Sequence, residues 1–526
     1  MEKETHKESD GKTNLSRRSL IGGLALGSLG LAGAGLFGCA PSGKEETTTS
    51  NAPTGNATAE EITWDEETDV VVVGSGGGLA GGIAAAENGF EAIVLEKDSM
   101  IGGSTNLHSG VISCGGGTSL QQEAGIEDSP EEYAKYLKAC AKGQANEEII
   151  DLLSKELPVT FEWVVGLGGK FSTDWLYFTG PEEEPYCATV TTPVKHGAQY
   201  PPDEEHKSVT GTLIHQLVMA EAERLGVEIR TETPALRLIL GEDGGPIGVV
   251  ASNGGKEFTI KARKGVLLAS GGICANPEMC AQYLRYGETR VAAGAKQATG
   301  DGIKMGQAAG GDLMNMHESL SSLQTAVPFG TTTRGHERPA FPTILVNVWG
   351  RRFVNENYHS DTVGTLALGQ DDGLVYQIFD SKSAEAISDS AKEGVIEAST
   401  IEELAEKTGI FAQGLSETIA KWNADAAVGP DTEYGKPVGP TVAPLDTPPF
   451  YAFQCRALSL VVPFGGLKTT TDFQVVKALD GEPIPRLFAA GLDAGGWLGR
   501  LYPGSGTAVG ATYAMSRVGV EKMVKE

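Results

Sequence analysis

The chain lacks the spacings that announce metal or haem chemistry. Its seven cysteines, Cys39, Cys114, Cys140, Cys187, Cys274, Cys280 and Cys455, form no CxxC pair. That excludes a c-type haem attachment site and a zinc ribbon. Cysteines scattered in this way read as small buried hydrophobes. His108 and His196 stand at no metal-ligand spacing, so no metal is expected. Positive charge is in deficit: 42 Lys and Arg against 69 Asp and Glu leave a net charge of −27. A surface this acidic excludes nucleic acid as a partner. No internal repeat is present, which excludes a solenoid.

What the chain has in excess is glycine, 71 of 526 residues, about twice the usual share. The glycines gather in a few motifs. The length allows two or three domains with sizeable cores. The first motif, "NLSRRSLIGGLALGSLGLAGAGLFGCAPSG" (residues 14–43), sets two arginines before an uncharged run that closes at a cysteine. A charged start, an apolar stretch and a small-residue exit describe a signal peptide. Arg17-Arg18 resembles a twin-arginine export signal, and "LFGC" resembles a lipoprotein box, which implies lipidation of Cys39. Residues 1–38 are therefore expected to be a signal, and residues 39–63, rich in Thr, Ser, Asn, Gly and Glu, a flexible tether. The protein is expected on the extracytoplasmic face of the cell membrane, held there by its lipid alone.

The folded body starts near Trp64 with "TDVVVVGSGGGLAGGIAAAENGFEAIVLEK". Asp69 to Val73 reads as a buried parallel strand. Gly74-Ser75-Gly76-Gly77-Gly78 is a turn, Leu79 to Asn88 a helix stopped by Gly89, and Ala92 to Leu95 a second strand ending at Glu96 and Lys97. Such a turn lets backbone approach a pyrophosphate at the positive end of a helix. A carboxylate at the tip of the second strand is placed for ribose hydroxyls. Strict GxGxxG spacing puts Leu79 where the third glycine belongs, with Gly78 one residue early. The body alternates strand-like and helix-like segments over residues 64–318 and 450–526. Residues 319–449 differ, with a helical stretch at 400–427 and a Pro-rich exit "PLDTPPF", and read as an inserted domain.

Four further segments, "GGSTNLHSGVISCGGG", "KGVLLASGGICAN", "ATGDGIKMGQAAGG" and "IPRLFAAGLDAGGWLGRLYPGSGTAVGATYAMSRVG", follow in the order found in a flavoprotein family. It is the family of fumarate reductases, succinate dehydrogenases, urocanate reductases and 3-ketosteroid dehydrogenases, and the chain resembles it from Asp69 on. The resemblance implies an α/β fold: a doubly wound, Rossmann-like FAD-binding domain with an inserted α+β capping domain. It implies Glu96 on the adenosine ribose, and Gly102, Gly103, Ser104 and Thr105 along the diphosphate and flavin, with Gly110 in the same loop. It implies Ala235 on the adenine side and Ala269, Ser270 and Gly271 against the nucleotide. Asp301 is expected close to the isoalloxazine and Asp493 near the ribityl chain. Thr507, Ala508 and Val509 are expected to offer N–H groups to the flavin's pyrimidine edge.

Departures from the family narrow the substrate. Fumarate reductases clamp a dicarboxylate with two arginines and two histidines. Here "GRRFVNENYHSD" (residues 350–361) puts Ser360 at the first arginine, and "LYPGSGT" (501–507) puts Tyr502 at the second. "VVPFGG" (461–466) and "SSLQT" (321–325) lack the two histidines. Bidentate arginine is the natural carboxylate clamp, so its loss speaks against fumarate. Arg351, Arg352, His359, Lys468 and Arg500 remain as material for another anion site. "YPGSG" instead resembles the ketosteroid dehydrogenases, in which this tyrosine and the last glycine's N–H bind the substrate ketone. That implies the same for Tyr502 and Gly506. Hydride transfer to the carbon β to a carbonyl puts negative charge on the carbonyl oxygen, which two such donors stabilise. Tyr358 and His359 are the candidates for the acid or base at carbon α.

The expected activity is reduction or formation of a C=C bond conjugated to a carbonyl, on a small molecule, with an external cytochrome or quinol-linked protein exchanging electrons. A steroid-like enone is favoured. A small unsaturated acid and a flavin-binding lipoprotein without catalysis stand as alternatives.

Overall fold

The computed structural model describes residues 62–526, apart from 204–205, 207–209, 290, 293, 324, 327–328, 332–336, 340, 390, 437–440 and 457–458. The signal, Cys39 and most of the tether lie outside the described residues. Among the described residues no helix is long and apolar enough to cross a membrane, and no cluster of side chains could hold a metal ion. Cys114, Cys140, Cys187, Cys274, Cys280 and Cys455 are all buried and free, as their scatter predicts.

Strand β1 (Glu66–Val73) turns at Gly74 into helix α1 (Leu79–Glu87) and strand β2 (Ala92–Leu95). Helices α2 (Gly103–Leu107), α3 (Pro130–Ala141), α4 (Glu147–Gly166), α5 (Pro185–Ala188) and α6 (Gly211–Arg224) follow. Strands β3 (Glu228–Arg230), β4 (Ala235–Leu240), β5 (Pro246–Asn253) and β6 (Lys256–Leu268) lead to helix α7 (Asp301–Ala308) and strand β7 (Ser319–Ser322). The inserted region contributes β8 (Ile344–Asn347), α8 (Ser360–Ala367), β9 (Leu374–Asp380), β10 (Val395–Ala398), α9 (Ile401–Thr408), α10 (Ala412–Val428) and β11 (Phe450–Arg456). The chain returns through β12 (Ser459–Pro463), β13 (Gln474–Val476) and β14 (Pro483–Ala489) to end in α11 (Thr507–Lys525).

The main sheet runs β13-β14-β6-β1-β2-β3, and β4 and β5 form an antiparallel arm on β6. The pairings β14–β6, β6–β1, β1–β2 and β2–β3 are parallel. Val70, Val71, Val72 and Val94 are fully buried, because a parallel strand in a sheet covered on both faces has no polar side. Helices α1 and α11 pack together over β6, where a Cβ on Gly81 would meet Leu267 and Val520. All carboxyl ends of the parallel strands therefore open on one crevice, the usual ligand position of such sheets.

The cap is a four-stranded antiparallel sheet, β8-β9-β11-β10. Period-two alternation splits its side chains. Ile344, Val346, Tyr376 and Ile378 face α9 and α10, while Leu345, Val375 and Phe379 face α8. The sequence boundary needs a correction here. β11 pairs with β9 and β10, so residues 450–456 belong to the cap and not to the FAD-binding body. Pro-rich composition marked the turn into the last cap strand, not the exit from the domain. The helical stretch at 400–427 is two helices, parted where Gly409 adopts φ 77 as a left-handed cap.

Candidate active site

A cavity of about 410 Å³ occupies the crevice and runs from the β1–α1 turn to the start of α11. At its first end the chain turns sharply at Gly74, where φ is 110 and a Cβ would lie 2.2 Å from the Ala269 carbonyl oxygen. Only glycine meets both demands. Gly78 accounts for the departure from strict spacing. A Cβ there would lie 2.3 Å from Gly74 O, so Gly78 already supplies the close helix–strand approach, and Leu79 is buried in the core.

Glu96 is buried at the end of β2. Its Oε2 accepts from Ser75 Oγ at 2.5 Å and Ser75 N at 3.2 Å, and its Oε1 from Asp98 N at 2.8 Å. A carboxylate has about four acceptor positions, so one remains for a ribose hydroxyl. Ser75 Oγ in turn accepts from Gly102 N at 2.9 Å, which ties the loop before α2 to the β1–α1 turn. Gly74, Ser75, Gly76, Gly77, Glu96, Lys97, Gly102, Gly103, Ser104 and Thr105 all line the cavity. Ala235, Ala269, Ser270, Gly271, Asp301, Ala508 and Val509 line it as well. Backbone amides at glycines, a helix start and a ribose acceptor are the donor set that a dinucleotide demands, so the residues present fit FAD.

Four expected cofactor contacts stand off the wall. Gly78 and Thr507 are inside the packing, and Gly110 backs onto Thr210. Asp493 is fully buried. Its two oxygens accept Ser270 N at 2.5 Å and Gly272 N at 3.0 Å, so it braces the loop after β6 rather than reaching a ribityl chain. Burial raises its pKa, and those bonds oppose the rise. Asp301 lines the cavity, its carboxylate 2.6 Å from Lys97 Nζ, one residue past Glu96, and α7 packs beside β4.

His108 lines the same cavity. Its Nδ1 accepts from Gly110 N at 3.0 Å, and its Nε2 is buried without a partner. Burial, with His215 nearby, pushes its pKa down to about 4, so the ring is neutral with the proton on Nε2. Spacing gave no sign of this placement, because a lone histidine has no partner at a fixed interval.

At the other end stands Tyr502, buried and stacked on Phe464 with ring centroids 6.2 Å apart. A strap of backbone holds it. Arg500 N donates to Ala141 O, Leu501 N to Cys140 O, and Ser505 N to Thr179 O, while Tyr136 Oη donates to Pro503 O. Gly506 opens α11 with φ 90. Ala508 N donates to Tyr502 Oη at 2.9 Å, so the phenol oxygen is already an acceptor. Its own hydrogen has no acceptor among the described residues, and neither does Gly506 N–H a partner. Burial raises the phenol pKa. Two donors thus stand at the N-terminus of a helix, on the wall of one cavity, protonated and unspent.

Tyr358 and His359 are not brought onto that wall. Tyr358 meets Tyr186 edge to face at 6.1 Å. His359 caps α8, its N–H donating to Glu184 Oε1 at 2.9 Å and its Nδ1 accepting from Asp361 N at 3.4 Å. The residue nearer Tyr502 is Asp361, whose charge the phenol feels. It is the last residue of the "NYHSD" segment.

The basic residues left by the family comparison are all engaged. Arg500 Nη1 lies 2.8 Å from Glu318, Arg351 2.5 Å from Glu417, and Lys468 3.5 Å from Asp312. Arg352 is buried in the cap, 2.8 Å from both Glu356 and Asp431.

Residues 69–509 match the model of the FAD binding domain family. The chain is 29% identical over 477 residues to a urocanate reductase of Eggerthella lenta, across 87% of this chain and 73% of that one. It is 27% identical over 516 residues to a digoxin reductase of the same organism, across 89% of each. Its fold is similar to that of the 3-ketosteroid-Δ4-(5α)-dehydrogenase of Rhodococcus jostii RHA1, solved with 4-androstene-3,17-dione. The TM-score is 0.77 at 30% identity, covering 89% of this chain and 99% of that one.

Proposed function

The chain belongs to the FAD binding domain family, and from that premise we propose that it reduces a C=C bond conjugated to a ketone, outside the cytoplasm and with electrons from a membrane-side donor. It is a FAD-dependent oxidoreductase acting on carbon–carbon bonds. The observation that carries the ketone reading is the pair of unspent donors, Tyr502 Oη and Gly506 N–H, on the cavity wall. Preplaced donors of this kind stabilise an oxygen that becomes negative in the transition state.

Bound FAD supplies the hydride. The chain's own groups do the rest. The glycine turns and Glu96 fix the cofactor's adenosine half, and Tyr502 and Gly506 take the substrate's carbonyl oxygen. Phe464, Leu320 and Val462 supply apolar wall and core. A dicarboxylate is disfavoured, since no arginine lines the cavity among the described residues and each nearby guanidinium is neutralised by a carboxylate. The 30% identity to a ketosteroid dehydrogenase supports the same choice.

Export rests on the twin-arginine and lipobox resemblance at residues 14–43. A lipid on Cys39 would hold the enzyme beside a cytochrome or quinol-linked donor. Cys39→Ser is expected to move the protein from the membrane fraction to the soluble one. The reaction is tested anaerobically, by reducing the flavin with an artificial donor and adding fumarate, urocanate, cinnamate or a 3-oxo-4-ene steroid. Rapid reoxidation by the steroid is expected. Reoxidation by the acids alone would overturn the ketone reading.

A further inference from the structure

Reducing a conjugated C=C bond requires two deliveries, hydride at carbon β and a proton at carbon α. Tyr502 and Gly506 serve the carbonyl oxygen, and the groups first expected to serve carbon α lie off the cavity wall. Asp361 closes the same segment, and the Tyr502 phenol feels its charge. It sits in the first turn of α8, and its surroundings differ from those of several other carboxylates. Glu318, Glu356, Asp431, Asp301 and Asp312 are each tied to a lysine or arginine. Asp361 is tied to none among the described residues. Its Oδ2 lies 3.5 Å from His359 Nδ1, and its Oδ1 lies 3.4 Å from Ser322 Oγ and 3.5 Å from Ser360 Oγ. Ser322 ends β7, two residues beyond cavity-lining Leu320. The α8–β7 contact is tight, since a Cβ on Gly364 would lie 1.9 Å from Ser321 O, so α8 is held against β7. Its side chain is 15% exposed. Burial without a fixed cation favours the neutral carboxyl, in keeping with a raised pKa.

We propose that Asp361 holds the proton for carbon α, an assignment that rests on the ketone-conjugated reduction given above. Carbon β gains the hydride, and the π pair moves onto the carbonyl oxygen between Tyr502 and Gly506. The α carbon of that enolate then takes the proton from the Asp361 carboxyl. The carboxylate left behind regains its proton from water, which its 15% exposed side chain can reach. In the dehydrogenating direction the Asp361 carboxylate removes the same proton. The side chain at 360 is a serine, so the proton comes from the next residue in the helix.

Proton exchange separates this step from redox turnover. The flavin of the holoenzyme is first fully reduced, so no hydride can leave a saturated ketone. A saturated 3-ketosteroid is then incubated with it in D2O, and deuterium at carbon α is read by mass spectrometry. The wild type is expected to exchange it. Asp361→Asn is expected to exchange at least ~100-fold more slowly, the usual worth of a positioned acid–base group, with FAD content and visible spectrum unchanged. Asp361→Glu is expected to recover much of the rate, which a merely structural loss would not show. Exchange by Asp361→Asn at the wild-type rate would overturn the assignment. Failure of the wild type to reduce any enone would instead be seen in the acceptor panel, as a failure of the ketone reading.

Discussion

The two ends of the cavity are built differently. At the dinucleotide end, the strand, turn, helix, second strand and carboxylate come from one run of about thirty residues, and their side chains are tied to one another. Glu96 holds Ser75, Ser75 holds Gly102, and Lys97 holds Asp301. At the carbonyl end, Tyr502, Leu320, Val462 and the nearby Asp361 come from four distant segments, and the decisive hydrogens are left without partners. One end is a braced receptor for a resident group. The other keeps its donors for a reaction. Desolvated donors with no partner cost stability, about 1–3 kcal/mol each, and a fold retains them where a ligand will use them.

That contrast can be broken by mutation, taken here from the largest effect downward. Gly74→Ala is expected to yield protein without flavin, since its Cβ would meet the Ala269 carbonyl and its φ is left-handed. Absorbance of purified protein at visible wavelengths reads this directly, and full flavin content would refute the role of the Gly74 turn. Tyr502→Phe is expected to do the opposite. Flavin content stays while turnover falls roughly 10²–10³-fold, the worth of one oxyanion donor. Equal loss of both would remove Tyr502 from catalysis.

Acid is expected to attack the dinucleotide end. His108 and His215 have pKa values near 4 in the fold, lowered by burial, against about 6.5 unfolded. The unfolded state therefore binds more protons between those values, so stability rises with pH there. Lowering the pH from 7 towards 4 should cost on the order of 3 kcal/mol per imidazole, seen as a falling thermal midpoint with flavin release. A midpoint that is flat across this window would contradict the neutral pair. Smallest is Lys97→Met, which unties a half-exposed link. It should weaken FAD by a few-fold, consistent with ~1 kcal/mol for such a pair, with turnover of the loaded enzyme unchanged.

Legibility followed the same division. Strand Ala92–Leu95 and helix Leu79–Glu87 stand where local pattern placed them, because period, turn chemistry and caps act within a few residues. Asp493 stands off the wall and Asp301 is paired with Lys97, which the motifs did not show because a motif names a residue without saying which way its carboxylate turns. Their partners, Lys97 and the amides of Ser270 and Gly272, lie some two hundred residues away. The end of the cap was misread at 449 because β11 is recognised only by its partners β9 and β10.

By itself the sequence determined the doubly wound fold and the glycine turn with its acid, while its resemblance to the flavoprotein family implied Tyr502 in the place of an arginine. The first two are properties of residue type and short spacing. Only the tertiary structure decided that Tyr502 accepts from Ala508 and keeps its own hydrogen, that every nearby arginine is neutralised, and that Asp361 is not. Charge and hydrogen-bond supply are settled by what stands within 3–4 Å, and in this chain those neighbours come from segments that only folding brings together.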